Sequence, residues 1–132
     1  MQYISLREVL LIHIAAIRRY GGSDGVRDAG LVESALARPR ASFGDYEAYP
    51  DLYSKAAVLL EGVIKNHGFV DGNKRTASAT VSVFLQKNGH YYNASQKVLV
   101  EFVVEVAEGK FDTEEITSWL KKHSKKLKKK SV

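Results

Sequence analysis

A chain of 132 residues is the length of one domain. Its 45% hydrophobic and 27% charged residues form an ordinary globular balance that excludes wholesale disorder. The absence of cysteine excludes disulfide scaffolds, thiolate zinc sites and cysteine nucleophiles. The formal charge of +5 is unevenly placed: seven lysines fall between Lys121 and Lys130, which leaves 13 basic and 15 acidic groups in residues 1–120. The body is therefore slightly acidic, and a basic nucleic-acid-binding face is not expected on it.

The periodicity predicts an all-α bundle of about six helices with little sheet. Leu6, Val9, Leu10, His13, Ile14 and Ile17 share one face of a first helix over Ser5–Tyr20, which Gly21-Gly22 stops. Asp28 is placed to cap a short helix through Ala37, followed by Pro39. Residues 40–50 then form either a long loop or a small flap, with Phe43, Tyr46 and Tyr49 on it. Asp51 is placed to cap a helix through Asn66, whose apolar stripe is Leu52, Ala56, Leu59, Leu60 and Val63, with His67 as its next position. Another helix runs from Asn73 to Lys87 and ends at Asn88-Gly89; its early Ala77, Ser78, Ala79 and Thr80 allow close packing. The β-branched run Val98–Val106 favours a strand by composition. The spacing of Glu101, Glu105 and Glu108, with Ser95 as a cap and Gly109 as a stop, favours a helix instead. Asp112 and Glu115 have the spacing of a capping box. They open a last helix carrying Ile116, Trp119 and Leu120 that fades into lysines. The expected organisation is thus one domain over 1–120 and a basic tail over 121–132. The tail is expected to be a solvated or frayed helix end, with weak RNA, ribosome or acidic-partner contact as its functional alternative. It has no interleaved aromatics for stacking on bases. No apolar run approaches the ~20 residues of a membrane span, and the N-terminus lacks the features of a signal peptide. A cytoplasmic protein with no membrane partner is expected.

The densest polar cluster is His67-Gly68-Phe69-Val70-Asp71-Gly72-Asn73-Lys74-Arg75-Thr76, between two apolar helices. It is not a phosphate-binding P-loop, because no Ser or Thr follows a Gly-Lys pair. A calcium loop starting at Asp71 would need Gly and Glu where Thr76 and Ser82 stand. The four histidines lack metal spacing, and the motifs of eukaryotic-type kinases are missing. Phosphate chemistry fits. A helix starting at Asn73 aims free N–H groups at the loop, and Gly72 allows close approach. Lys74 and Arg75 oppose the helix dipole unless an anion binds there. Asp71 is a hard oxygen ligand suited to Mg²⁺, and His67 is a side chain able to take a proton from an attacking hydroxyl. Each residue also has a structural reading: His67 as a core histidine, Asp71 as a helix cap, Lys74 and Arg75 as a solvated first turn, and Phe69 as core.

The segment resembles the signature of the Fic superfamily, His-x-Phe-x-(Asp or Glu)-Gly-Asn-Gly-Arg, at His67, Phe69, Asp71, Gly72, Asn73 and Arg75. Lys74 replaces the last Gly, and Ser78 stands where many members have a second Arg. The Lys form resembles the death-on-curing (Doc) branch, toxins of bacterial toxin–antitoxin pairs. The resemblance extends to Gly25–Asp28, Leu31–Pro39 and Lys55–Gly62. It implies a compact Fic-like helical fold and a transferase that uses ATP and Mg²⁺. In that role His67 is the general base and Asp71 the metal ligand, while Gly72, Asn73, Lys74 and Arg75 surround the phosphates. Most Fic enzymes transfer AMP. Lys74 would crowd the α-phosphate, and the Doc branch transfers the γ-phosphate to a threonine of elongation factor Tu, which halts translation. The resemblance also implies an antitoxin partner whose C-terminal segment occupies a groove between helices, and a flap at 40–50 that aligns the target. A nucleotide-binding module without turnover, acting through a protein partner, is the alternative of another class.

Overall fold

A computed structural model describes residues 1–128. Its helices are α1 (Leu6–Tyr20), α2 (Ala29–Ala37), α3 (Leu52–Asn66), α4 (Asn73–Lys87), α5 (Gln96–Ala107) and α6 (Thr113–Lys122). A 3-10 turn, Arg38–Arg40, follows α2 and leads into a hairpin of β1 (Ser42–Phe43) and β2 (Tyr46–Glu47). The flap alternative for residues 40–50 is therefore the one the chain adopts. A second ribbon pairs β3 (His90–Tyr92) with β4 (Ser124–Lys126), antiparallel.

The helix starts follow from side-chain capping. Ser5, Asp28, Asp51, Ser95 and Asp112 each accept the backbone N–H three residues on, and Ser5 and Asp112 complete capping boxes. Each such cap contributes about 1 kcal/mol. The exception is α4, which starts behind Gly72 with no side-chain cap. The ambiguous run at Val98–Val106 is helical: Phe102, Val103 and Val106 are buried, and Glu101 faces out.

At the centre lies α3, buried without interruption from Lys55 to Ile64. An α-helix buried all round must have neighbours on every side; here they are α2, α4 and α6. Gly62 lets α2 approach until Ala35 lies 3.0 Å from where a Cβ would be. On the other flank α4 turns in Ala77, Val81, Phe84 and Leu85. Along α5 and α6, Trp119 stacks on Phe102 with ring centroids 3.7 Å apart and on His123 at 3.9 Å.

The C-terminal end departs from the expected fading helix. α6 stops at Lys122, and Ser124–Lys126 turns back along His90–Tyr92. The pairing is extended by Asn93 N–H to His123 O and Leu127 N–H to Gly89 O. Gly89, at φ +80, turns the chain out of α4 and into this ribbon, a left-handed conformation that glycine adopts without penalty. Lysines are poor predictors of a strand, so composition hid the pairing. The rest of the basic tail, residues 129–132, lies outside the described residues. Among the described residues no helix is long and apolar enough to cross a membrane.

Phe84 is fully buried between α4 and its neighbours. Phe84→Ala is expected to lower unfolding free energy by about 3–5 kcal/mol, through lost transfer energy and the cavity left behind. Urea unfolding checks this.

Candidate active site

The polar loop of the sequence joins α3 to α4, and its shape is set by the two helix ends. α3 finishes at His67 in a left-handed conformation, φ 49° and ψ 47°. Among the described residues His67 is the only non-glycine at positive φ. A side chain there costs about 1–2 kcal/mol, so some other contact must hold it. That contact is Arg27, whose Nε donates to His67 O at 2.6 Å and whose Nη2 donates to Asn66 O at 3.0 Å. The last carbonyls of α3 are thereby satisfied. The imidazole itself is exposed, so the core-histidine reading does not hold.

Phe69 does point inward, 1% exposed, as the anchor that fixes the loop. Its ring stacks on His13 of α1 with centroids 4.0 Å apart and planes 10° from parallel. Its backbone is closed by Asn73: Phe69 N–H donates to Asn73 Oδ1 at 3.1 Å, and Asn73 Nδ2 donates to Phe69 O at 3.0 Å. Nδ2 also lies 3.4 Å from His67 Nδ1, a long contact that does not lock the imidazole tautomer.

Residues 23–28 brace the loop from outside. Arg27 and Asp28 N–H both donate to Gly68 O, and Val70 N–H donates to Gly25 O. Gly68 packs so close to α2 that a Cβ would collide with Val32. His13 Nε2 lies 2.8 Å from Asp71 O, which ties the loop to α1. The sequence set His13 on the apolar face of the first helix, where it is buried, and gave Ser23 and Arg27 no role. The signal for the brace was the cluster Gly21, Gly22 and Gly25; all three have positive φ, as a tightly folded second loop requires.

Asp71 is exposed, but its carboxylate is not a helix cap. Oδ2 accepts Ser23 N–H at 3.1 Å and Oδ1 accepts Gly72 N–H at 2.9 Å. The Ser23 bond first, and the Gly72 bond next, hold this carboxyl below the usual carboxylate range. The group is therefore ionised throughout the neutral range. Gly72, at φ +75, begins α4. The space its Cβ would fill belongs to α1, with Ile17 Cδ1 at 3.0 Å, so its need for glycine arises in packing and backbone shape rather than in ligand approach. Asn73 is buried; Lys74 and Arg75 are exposed in the first turn. The Arg75 guanidinium lies over the Tyr20 ring, 3.9 Å from its centroid, close enough for a cation–π contact.

Both cations border a groove of about 660 Å³ between α1, α4 and α5. Its floor includes Ala15, Ala16, Leu99 and Val103, and Arg19 joins Lys74 and Arg75 at its basic end. An open cleft thus lies beside the uncapped end of α4. Free N–H groups at a helix N-terminus with two adjacent cations suit a polyanion. Among the described residues no three His, Cys, Asp or Glu side chains form a metal cage. The single ionised carboxylate of Asp71 fits a metal that takes its other ligands from water and phosphate oxygens, as Mg²⁺ does.

Residues 3–85 match the Fic/DOC family. The chain belongs to this family. It is 46% identical over 88 residues to Toxin Doc of Mycolicibacterium smegmatis, a match covering 67% of this chain and 65% of that toxin. It is 34% identical over 122 residues to Protein kinase doc of Escherichia phage P1, covering 92% of this chain and 95% of that protein. The mostly helical Fic-like fold expected from the resemblance is the one observed.

Two outcomes test this geometry. His67→Gly relieves the left-handed strain and is expected to raise stability by about 1 kcal/mol, measured by denaturant unfolding. The Asp71 carboxyl is expected to titrate by NMR below an unperturbed aspartate. Its lowered folded-state pKa means that the tie to Ser23 is intact above the ordinary aspartate range and is lost as pH falls through the lowered value.

Proposed function

We propose that this chain is a toxin of a toxin–antitoxin pair that transfers the γ-phosphate of ATP to a serine or threonine hydroxyl of a translation protein, elongation factor Tu being the expected target. The observation that carries this is His67, held exposed in a strained left-handed turn next to the uncapped N-terminus of α4 with Lys74 in its first turn. The name of the phage relative, Protein kinase doc, supports it.

The roles follow from position. His67 takes the proton of the acceptor hydroxyl as it attacks phosphorus. The exposed imidazole reaches solvent and an incoming chain, as a general base for a protein hydroxyl must. The first N–H groups of α4, with Lys74 and Arg75, hold and neutralise phosphate oxygens. Asp71 would hold Mg²⁺, which draws charge from the phosphates when bound. Gly72 and Asn73 fix the turn that keeps these groups in register. Ground-state positioning and electrostatic stabilisation of a loose phosphoryl transition state supply most of the catalysis in this class. A Lys at position 74 in place of Gly occupies space on the loop and adds a cation, which favours γ over α transfer.

The groove between α1, α4 and α5 is the proposed seat of the antitoxin. Its apolar floor fits the apolar face of a helical segment, and its basic end at Arg19, Lys74 and Arg75 would draw that segment's acidic groups onto the phosphate clamp. Weak RNA or ribosome contact through the lysines at the C-terminal end is proposed as secondary.

Incubation with γ-labelled or α-labelled ATP and cell extract tests the reaction. Label is expected on protein from the γ position only. Label from the α position alone would assign AMP transfer, and no label from either would leave the binding-module alternative. His67→Ala is expected to lower transfer by at least a hundredfold, in line with loss of a general base. Lys74→Gly is expected to reduce γ transfer, and an unchanged rate would remove Lys74 from the clamp.

A further inference from the structure

His13 lies in the middle of α1, 3% exposed. Its ring is held flat against Phe69, and its Nε2 lies 2.8 Å from Asp71 O. A carbonyl oxygen only accepts, so Nε2 carries the proton and donates. Among the described residues no backbone N–H reaches Asp71 O, which leaves His13 as its hydrogen-bond partner.

The bond is made to one side of a rigid unit. The peptide between Asp71 and Gly72 is planar and trans, so its C=O and N–H point in opposite directions. The C=O is turned inward to α1. The N–H is therefore turned outward, where it donates to Asp71 Oδ1 at 2.9 Å. Ser23 N–H holds the other oxygen, Oδ2, at 3.1 Å. Gly72 does not decide this orientation by itself. Its φ of 75° and ψ of 20° are those of the third residue of a type II turn, and turning the preceding peptide over gives the type I alternative. Glycine accepts both. With the plane turned over, the Gly72 N–H would face α1 and Oδ1 would lose its donor. The choice between the two is made from outside the loop, by a donor fixed in the core.

We infer that His13 is a positioning residue: by holding Asp71 O it sets the peptide plane between Asp71 and Gly72, and so keeps the Asp71 carboxylate in the orientation that receives a divalent cation. This rests on the reading of Asp71 as the metal-holding carboxylate. His13 itself touches neither metal nor nucleotide.

Two variants separate the donor from the ring. His13→Phe keeps a ring to stack on Phe69 and removes the donor. His13→Gln removes the ring and keeps an N–H the same number of bonds from the backbone. In metal-free protein the Gly72 amide is expected to exchange its hydrogen at least tenfold faster in His13→Phe, and within threefold of wild type in His13→Gln. Mn²⁺ alone, followed by broadening of the Ser23 and Gly72 amide signals in NMR, reads the metal. Its half-maximal concentration is expected to rise about tenfold in His13→Phe and to stay within threefold in His13→Gln. Wild-type behaviour of His13→Phe in either measurement overturns the proposal, and so does a defect in His13→Gln as large as that in His13→Phe. If Mn²⁺ leaves the wild-type signals sharp, Asp71 is not a metal ligand and the proposal falls with that reading. If Mn²⁺ binds but wild-type protein transfers no label from ATP, only the phosphotransfer reading has failed, and the two variants still decide the role of His13. If His13→Phe does not fold, His13→Gln decides together with nitrogen NMR of the wild-type imidazole. A proton on Nε2 is expected there; a proton on Nδ1 alone overturns the bond, because the carbonyl has none to give.

Discussion

The amide of Asn73 does for Phe69 what a neighbouring strand would do, accepting its N–H and donating to its carbonyl. A buried backbone group without a partner is costly, and at Phe69 both groups are met by one side chain from the helix that follows. This closure allows a loop of six residues between α3 and α4 to be sharp and still anchored by a buried ring. His67 is then left outside the closed loop and Asp71 at its rim. The neighbouring segment 23–28 completes the frame by taking up the carbonyls and N–H groups that Asn73 does not reach.

The same frame explains why α4 differs from the other helices. Five helices spend an Asp or Ser side chain on their first turn. α4 begins instead at a left-handed glycine, and the nearby carboxylate of Asp71 is turned away onto Ser23 and Gly72. The positive end of the helix dipole is thus left available, with cations rather than acids in its first turn. That arrangement weakens an isolated helix and is tolerable here because α4 is held by its buried face against α3. A fold that departs from its own capping rule beside the only non-glycine residue at positive φ among the described residues marks that place as a site.

Much of this was legible in the residues. Four of the five capped helix starts were read from Asp28, Asp51, Ser95 and Asp112, and the polar run from His67 to Arg75 stood out between two apolar stripes. The helical run at Val98–Val106 was decided by its glutamates against its β-branched composition. What stayed hidden depended on contacts distant in sequence. Nothing local tells that Arg27 reaches the end of α3, that Arg75 rests on Tyr20, or that His13 combines a core position with a bond to Asp71 O. The ribbon of His90–Tyr92 with Ser124–Lys126 was hidden for another reason, because lysine-rich sequence carries no strand signal and pairing alone makes the strand. The likeness to Fic proteins located the loop but could not show that Gly72 serves α1 packing.

Trp119, stacked between Phe102 and His123, is the chain's single tryptophan. Its ultraviolet emission therefore comes from one known place, the seam where the last helix meets α5 and turns into the ribbon. The indole is a label-free optical gauge of whether the C-terminal third of the molecule is docked, placed away from the loop whose chemistry it would leave undisturbed.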